Sequence, residues 1–326
     1  MTKSTVLIVG QRPDPHIDAV EKALQTLGKR PIILDRASGD VCAFRLDSCG
    51  SYAWIGASGS TVALADLTAV WWRVKPISPV ETSRGTGTIA ESMRWAEWRT
   101  CLRSLPAFTP SARWINPLPN HFHAGQKPTQ LALAVACGFS IPKSIITNSA
   151  EDALKWLNGD TLLIYKTLTS PVLFPDEVIF TTPITRDMIR SGASSIALAP
   201  CIFQEYVEKA YELRITVVGD EVFPARIDSQ VRPETSIDWR RNQLEDMYSV
   251  EELDATFLSR LRSFHARAGL VYGAYDFIIR PDGTPVFVEC NPGGQWLWLE
   301  NSLGLKISQA LAILLCGDRR AADKAN

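Results

Sequence analysis

The sequence lacks the features by which secreted, membrane-spanning and nucleic-acid-binding proteins are recognised. Its seven cysteines are odd in number and include no C-x-x-C pair, which argues against a disulfide framework or a zinc site and favours reduced thiols. No apolar segment approaches the ~20 residues that span a bilayer, and the apolar run Val6–Val9 is too short for a signal peptide. The net charge of −1 argues against a nucleic-acid partner, which requires a basic face. We therefore expect a cytoplasmic protein without membrane or nucleic-acid contacts.

Two common catalytic motifs, the glycine-rich Walker loop and the G-x-S-x-G nucleophile turn, are also missing, which argues against a P-loop enzyme and a serine hydrolase. The length of 326 residues suggests two or three domains. Strand, helix and strand patterns at residues 5–9, 18–27 and 30–34 predict a parallel α/β start. The second half predicts an α+β unit with antiparallel hairpins and a long helix at residues 250–268.

The sharpest pattern is a hairpin in which Asp282-Gly283 separates two apolar runs. If these two residues form the loop, Pro281 faces Thr284 and Asp276 lies directly opposite Glu289, with Asn291 on the same face. Two carboxylates ~5 Å apart repel by ~3 kcal/mol at an effective dielectric of 20. A cation that offsets this repulsion would find oxygen ligands that suit Mg²⁺. A solvent-facing hairpin, or a proton shared by the carboxylates, is the alternative.

A second pattern lies on the strand Glu212–Val218, where alternation puts Glu212, Arg214 and Thr216 on one face. A carboxylate that binds hydroxyls and a guanidinium that binds phosphate would suit a nucleotide. The alternative is a solvent-exposed strand face on which these charges form ion pairs. Lys127 at a helix start and Lys166 at a strand end are candidate phosphate ligands or, alternatively, surface lysines.

Two histidines beside one phenylalanine, His121 and His123, have no third histidine or cysteine nearby, so a surface loop is the preferred interpretation over a metal site.

The order of these patterns resembles the ATP-grasp superfamily. A lysine opens the middle region and a second follows on a strand; Gln-Glu-Tyr-Val, Glu-Leu-Arg, an Asp strand and a Glu-x-Asn strand come next. Longer strings are similar to those of the ATP-grasp ribosomal peptide maturases, also called graspetide or microviridin-type ligases. These strings are VWWR from Val70, VEKAYELRITVVGD from Val207, IDWR from Ile237, YGAYDF from Tyr272 and ECNPGGQW from Glu289.

The resemblance implies an α/β and α+β protein with the three-part ATP-grasp fold. The expected parts are an N-terminal α/β domain at 1–115, a central domain at 116–204 and a C-terminal domain at 205–326, with ATP between the last two. The implied site consists of the ATP-binding residues Lys127, Lys166, Gln204, Glu205, Tyr206, Val207 and Glu212, the Mg²⁺ ligands Asp276, Glu289 and Asn291, and the catalytic residues Arg214 and Arg240. One departure is that residues 167–172 contain no glycine, so no phosphate lid is assigned there.

The family's members join Asp or Glu side chains of a precursor peptide to Thr or Ser hydroxyls, or to Lys amines, forming macrocycles. The resemblance thus implies a precursor peptide, with a leader and an acidic core, as the partner, and leaves a homodimer as an expectation. We hypothesise that residues 228–249, with Arg232, Arg240 and Arg241, bind the acidic peptide. The alternatives are another ATP-grasp carboxylate–amine ligase, acting on a protein or a small acid, and a degenerate nucleotide-binding scaffold without turnover.

Overall fold

The computed structural model describes most of the chain. The described residues are 5–35, 38–57, 59–74, 89–159, 161–168, 172–173, 177–178, 181–242 and 245–317. The glycine-free segment at 167–172 therefore lies partly outside the described residues.

The N-terminal region is built around a fully buried strand, Val6–Val9, whose unbroken apolar run suits the middle of a parallel sheet. The first helix begins at Pro15 because the Asp14 side chain accepts a hydrogen bond from the His16 backbone amide. In chain order the elements are β1 (Val6–Val9), α1 (Pro15–Thr26), β2 (Ile32–Leu34), β3 (Val41–Asp47), β4 (Gly50–Ala57), β5 (Ser60–Ala63), β6 (Ala69–Trp72), α2 (Ile89–Ser104) and β7 (Arg113–Ile115).

The strand order of the described parallel sheet is β2-β1-β6-β7, and β3, β4 and β5 form a separate antiparallel meander. The predicted α/β start is therefore confirmed, whereas the meander was not predicted. Its strand β3 is largely exposed and mixes polar with apolar residues, so it carries little of the apolar pattern from which a buried strand is predicted.

The central region contains a small antiparallel sheet in the order β12-β9-β13-β8. Its elements are α3 (Leu118–Ala124), α4 (Lys127–Ala136), β8 (Ser144–Thr147), α5 (Ala150–Trp156), β9 (Leu163–Lys166), β10 (Val172–Leu173), β11 (Glu177–Val178), β12 (Thr182–Ile184), α6 (Arg186–Ser191), α7 (Ala193–Ile196) and β13 (Cys201–Glu205). The interpretation of His121 and His123 as surface-loop residues is wrong, because both lie on helix α3.

The C-terminal region is an antiparallel sheet in the order β16-β15-β14-β17-β18, with aromatic side chains packed beneath it. Its elements are β14 (Tyr211–Val218), β15 (Glu221–Ile227), β16 (Tyr248–Val250), α8 (Ala255–Arg267), β17 (Tyr272–Ile279), β18 (Pro285–Asn291), α9 (Leu297–Leu303) and α10 (Ile307–Cys316). The predicted helix at 250–268 is shorter than expected, because Asp254 caps it by accepting from the Phe257 amide.

The chain returns to its beginning through α10. Ile307, Leu311 and Leu315 share one buried apolar cluster with Ile17 and Leu24 of helix α1. The predicted domain boundaries at 115/116 and 204/205 stay a proposal. Among the described residues, no helix combines the length and the apolar composition that crossing a bilayer requires.

The buried side-chain amide of Asn116 connects the N-terminal sheet to the C-terminal sheet. Asn116 follows β7; its Nδ2 donates to the carbonyls of Tyr272 (2.8 Å) and Pro292 (3.0 Å). Its Oδ1 accepts from the amides of Val271 and Tyr272, both at 2.7 Å. Because the side chain is 1 % exposed, these backbone groups have no water to replace it.

We expect Asn116→Ala to lower the free energy of unfolding by about 2–4 kcal/mol, since it leaves buried backbone groups unsatisfied. Thermal and urea unfolding would measure this loss. Asn120→Ala is the matched control, because the Asn120 side chain makes one 3.3 Å bond to Ala268 in a partly exposed position. Equal stability of the two variants would contradict the structural role of Asn116.

Candidate active site

A cleft of about 930 Å³ lies between the central and C-terminal sheets. One wall carries Lys166 at the end of β9 and the segment Glu205–Val207, which begins at the last residue of β13. The other wall carries side chains of β14, β17 and β18. The N-terminal region closes one end. The predicted site residues that line this cleft are Lys127, Lys166, Glu205, Tyr206, Val207, Glu212, Arg214, Arg240, Asp276, Glu289 and Asn291.

Gln204 is the predicted site residue that the structure does not bring to the cleft. It is buried in β13, and its Nε2 donates to the Ser144 hydroxyl of the neighbouring strand at 2.8 Å. The side chain therefore holds two strands together. Its neighbour Glu205 faces the other way, as strand alternation requires.

Asp276 and Glu289 lie directly opposite each other on β17 and β18, and this predicted pairing is confirmed. The predicted two-residue loop is wrong. Arg280 faces Thr284 through the hydrogen bond from its amide to the Thr284 carbonyl, and Gly283 adopts a positive φ of 82°. The loop therefore contains three residues. A β-bulge between Asp276 and Phe277 restores the register, because Phe277 pairs with Phe287 while Asp276 pairs with Glu289.

The Asp276 carboxylate is neutralised by an arginine on the adjacent strand. Arg214 lies opposite Asp276 in the β14–β17 register, and its Nη1 donates to both carboxylate oxygens, at 2.9 and 2.6 Å. Burial raises the pKa of Asp276 and the charge of Glu289 adds to this, although Arg214 opposes both. The charge of Arg214 thus offsets the repulsion between the two carboxylates. The alternative of a solvent-facing hairpin is wrong for Asp276, because its side chain is only 14 % exposed.

The charge of Glu289 is offset by several nearby cations. Burial alone would raise its pKa, but the charges of Lys127, Arg240 and Lys166, together with the Asn291 hydrogen bond, hold the pKa below its usual value. The Asn291 amide donates to Glu289 at 3.0 Å and lies 3.4 Å from Asp276. No cluster of three or more His, Cys, Asp and Glu side chains suitable for a metal occurs in the described ranges. The donor set here is two carboxylates and an amide, which fits a hard cation such as Mg²⁺.

Both predicted lysines lie inside the cleft. Burial lowers the pKa of Lys127 and of Lys166, and the charge of Glu289 partly offsets this effect for each. Lys127 begins helix α4 and its ammonium donates to the Thr167 carbonyl. The surface-lysine alternative is therefore wrong. Two half-buried lysines beside one carboxylate leave an excess of positive charge that an anion would neutralise.

Glu212 and Arg240 are each oriented by a partner that sequence reasoning missed. Lys209, 6 % exposed, donates to Glu212 at 2.7 Å and to the Ile237 carbonyl at 2.9 Å. Asp238 accepts two bonds from Arg240, at 2.8 and 2.6 Å. Burial alone would raise the Asp238 pKa, but the Arg240 hydrogen bonds and charge hold it at about 2. Strand β14 is buried along most of its length, so the exposed-strand alternative is also wrong.

The three arginines hypothesised to bind an acidic peptide are not brought together. Arg240 lines the cleft, whereas Arg232 and Arg241 do not. Arg232 forms an exposed ion pair with Asp246 at 3.0 Å. The segment contains three short 3₁₀ helices before β16. These helices are Ser229–Val231, Trp239–Arg241 and Glu245–Met247.

Sequence reasoning also missed a buried network that ties the N-terminal region to the cleft. Arg73 directly follows β6, and its Nε donates to Asp14 at 3.0 Å while its Nη1 donates to the Gly293 carbonyl at 2.8 Å. Asp14 also bonds His16, whose Nε2 accepts from the amides of Trp296 and Leu297. The available signal was an arginine placed immediately after a fully buried strand.

The parallel N-terminal sheet and the cleft between two antiparallel sheets define the class of the protein. It has the ATP-grasp fold, as predicted, and it is an ATP-grasp ligase. Neither a protein-family model nor a curated protein matches the chain.

Solved structures match the chain over nearly its full length. The RiPP-associated ATP-grasp ligase of Chryseobacterium gregarium, solved with ADP and a leader and core peptide, has a TM-score of 0.83 at 25 % identity over 99 % of this chain and 98 % of that one. The macrocyclase MdnC of Microcystis aeruginosa, bound with precursor peptide MdnA, has a TM-score of 0.80 at 29 % identity, and the match covers 96 % of this chain and 100 % of that one. The macrocyclase MdnB of the same organism has a TM-score of 0.77 at 26 % identity, and the match covers 96 % of this chain and 99 % of that one. The resemblance to RiPP ATP-grasp ligases is thereby confirmed.

Two ion pairs of equal length, one buried and one exposed, allow the effect of burial on stability to be tested. Asp276→Asn breaks a 2.6 Å pair in which Arg214 is 8 % exposed, so we expect a loss of about 2–4 kcal/mol in the free energy of unfolding. Asp187→Asn breaks a 2.6 Å pair with Arg190 whose partners are 89 % and 60 % exposed, and should leave stability unchanged. Chemical unfolding measures both. A stabilised Asp276→Asn variant would mean that carboxylate repulsion, and not the ion pair, dominates.

Adjacent glycines give a second matched pair. A Cβ at Gly294 would lie 2.5 Å from the Ala274 Cβ and 3.0 Å from Arg214 Nη2, so Gly294→Ala forces the loop after β18 away from β17. We expect a loss of about 1–3 kcal/mol from this overpacking. Gly293→Ala meets His121 at 3.4 Å, an ordinary contact, and should be tolerated. Differential scanning calorimetry of the two variants tests this, and indistinguishable melting temperatures would contradict the packing argument.

Proposed function

We propose that this ATP-grasp ligase uses Mg²⁺ and ATP to phosphorylate Asp or Glu side chains of a ribosomal precursor peptide and then joins them to Thr or Ser hydroxyls or Lys amines. The observation that carries the proposal is that one cleft gathers two half-buried lysines, a hinge segment and two facing carboxylates. The Chryseobacterium ligase, solved with ADP and peptide, supports the assignment of nucleotide and peptide to this cleft.

In this proposal one group of cleft residues binds the adenosine part of ATP and another binds its phosphates and Mg²⁺. Glu205, Tyr206 and Val207 contact the adenine, and Glu212, oriented by Lys209, accepts from the ribose hydroxyls. Lys127 and Lys166 bind phosphates, because burial has removed the water that would otherwise solvate their charge. Asp276, Glu289 and Asn291 hold Mg²⁺, which would neutralise phosphate charge when bound.

The arginines serve the reacting groups. Arg240 is fixed by Asp238, so its guanidinium is already oriented when a carboxylate or phosphate arrives. Arg214 contacts Asp276 on one side and the Gln295 carbonyl on the other. Its charge therefore lies beside the proposed metal ligands, where negative charge moves during phosphoryl transfer.

An isotope experiment tests the reaction. The substrate is the peptide, rich in Thr and in Asp or Glu, that a small open reading frame beside the gene would encode. Its acidic carboxylates are labelled with heavy oxygen and it is incubated with enzyme, ATP and Mg²⁺. We expect ADP and phosphate, a peptide that has lost one water per bond, and one labelled oxygen in phosphate for each bond. Mass spectrometry measures all three.

Each alternative gives a different result. Label in AMP, with release of pyrophosphate, would overturn the acyl phosphate route even if rings form. Turnover with small acids and amines, but not with the peptide, would identify another carboxylate–amine ligase. Nucleotide binding without any ADP formation would identify a degenerate scaffold.

A further inference from the structure

One titratable side chain of the cleft has no part in the proposed nucleotide and metal sites. His121 lies on α3, lines the cleft and is half-buried. Its Nδ1 is buried and has no hydrogen-bond partner within the described ranges. The ring packs edge-on against Phe122, with 5.4 Å between ring centroids, and Arg103 covers the Phe122 ring at 4.2 Å. Packing therefore holds the imidazole in place, and polar contacts do not.

His121 lies beside the loop that follows the proposed metal ligands. A Cβ at Gly293 would be 3.4 Å from its Cε1 and 4.0 Å from its Nε2, and Gly293 is two residues after Asn291. On the other side of this loop Arg73 binds the Gly293 carbonyl. The imidazole thus lies where Arg73 and Arg103 of the N-terminal region also line the cleft.

The carboxylates of the cleft are already engaged. Each of the five that line its described part contacts a cationic or amide side chain. The pairs are Glu205 with Lys143 (3.7 Å), Glu212 with Lys209 (2.7 Å), Asp238 with Arg240 (2.6 Å), Asp276 with Arg214 (2.6 Å) and Glu289 with Asn291 (3.0 Å). His121 has no such partner among the described residues. Burial lowers its pKa to about 4, so the ring is neutral near pH 7 and one nitrogen is free to accept a proton.

The proposed reaction needs such an acceptor. A hydroxyl that attacks an acyl phosphate must lose its proton as the new bond forms, and a positioned base contributes about 10²–10⁴-fold to such a step. The negative charge of the phosphate and of the tetrahedral oxygen favours a protonated imidazole. The imidazole therefore becomes a stronger base while the hydroxyl attacks the acyl phosphate and loses its proton.

We propose that His121 is the catalytic base that takes the proton of the acceptor hydroxyl. This inference rests on the proposed function. The acceptor O–H bond breaks and its proton goes to the imidazole, while the acceptor oxygen forms the ester C–O bond. The bond between the acyl carbon and the phosphate oxygen breaks, and phosphate leaves with that oxygen and the electron pair. The imidazolium then returns its proton to phosphate or solvent.

Hydroxylamine separates activation of the carboxylate from attack by the hydroxyl. It captures an acyl phosphate as a hydroxamate without needing a base on the enzyme. The full-length enzyme, His121→Gln and the control His123→Gln are compared with ATP, Mg²⁺ and the acidic, threonine-containing peptide, with and without hydroxylamine. His123 is a matched control because it lies on the same helix and is exposed.

We expect His121→Gln to lose ester formation by about 100-fold or more, while hydroxamate formation stays at the wild-type rate. His123→Gln should match wild type in both assays. In His121→Gly, added imidazole should restore part of the ester formation, which a merely structural role would not allow. Melting temperatures check that each variant is folded.

Two results would overturn the role of His121. One is wild-type ester formation in His121→Gln; the other is an equal loss of ester and hydroxamate in folded variants without rescue by imidazole. Failure of the proposed function looks different, because wild-type enzyme would then form neither ester nor hydroxamate from the peptide.

Discussion

Four consecutive backbone carbonyls, from Pro292 to Gln295, are each held by a side chain from another part of the chain. The four donors are Asn116 to Pro292 (3.0 Å), Arg73 to Gly293 (2.8 Å), Tyr272 to Gly294 (2.8 Å) and Arg214 to Gln295 (2.9 Å). All four donor residues are buried, so each carbonyl would be left without water if its donor were lost. The loop cannot move as a unit without breaking contacts to both the N-terminal and the C-terminal sheets. It therefore fixes where β18 ends and where the proposed metal ligands lie.

The same loop explains why charge can be concentrated in the cleft. Arg214 is almost fully buried, which is costly unless its charge is paired. Asp276 accepts from its Nη1 and the Gln295 carbonyl from its Nη2, whereas its buried Nε has no partner among the described residues. The close approach of strand and loop depends on Gly294, whose missing Cβ leaves room for the guanidinium. A rigid carbonyl in place of water keeps the arginine oriented before any substrate arrives, which is the arrangement that electrostatic catalysis favours.

Local patterns in the sequence predicted the parts of this site that lie on one hairpin or one strand. The pairing of Asp276 with Glu289 was predicted correctly although the loop length was wrong, because a three-residue loop and a β-bulge have opposite effects on register. Neither the three-residue loop nor the β-bulge is evident from the sequence, since Asp-Gly occurs in loops of both lengths. The helix at 255–267 was predicted too long because an apolar pattern does not show where an N-cap such as Asp254 begins it.

Contacts between distant residues could not be predicted in this way. Arg73 and Gly293 are separated by 220 positions, and no periodicity relates them. The sequence shows an arginine after a buried strand and a Gly-Gly pair after another, but tertiary contacts such as the packing of α10 on α1 bring the two regions together. Arg232 and Arg241 do not join Arg240 in the cleft for the complementary reason, and their binding of the peptide stays a prediction. Closeness in sequence suggested a shared function, whereas short 3₁₀ turns direct neighbouring side chains to different sides. In this cleft, functional side chains lie together because separate chain segments are fixed to one loop.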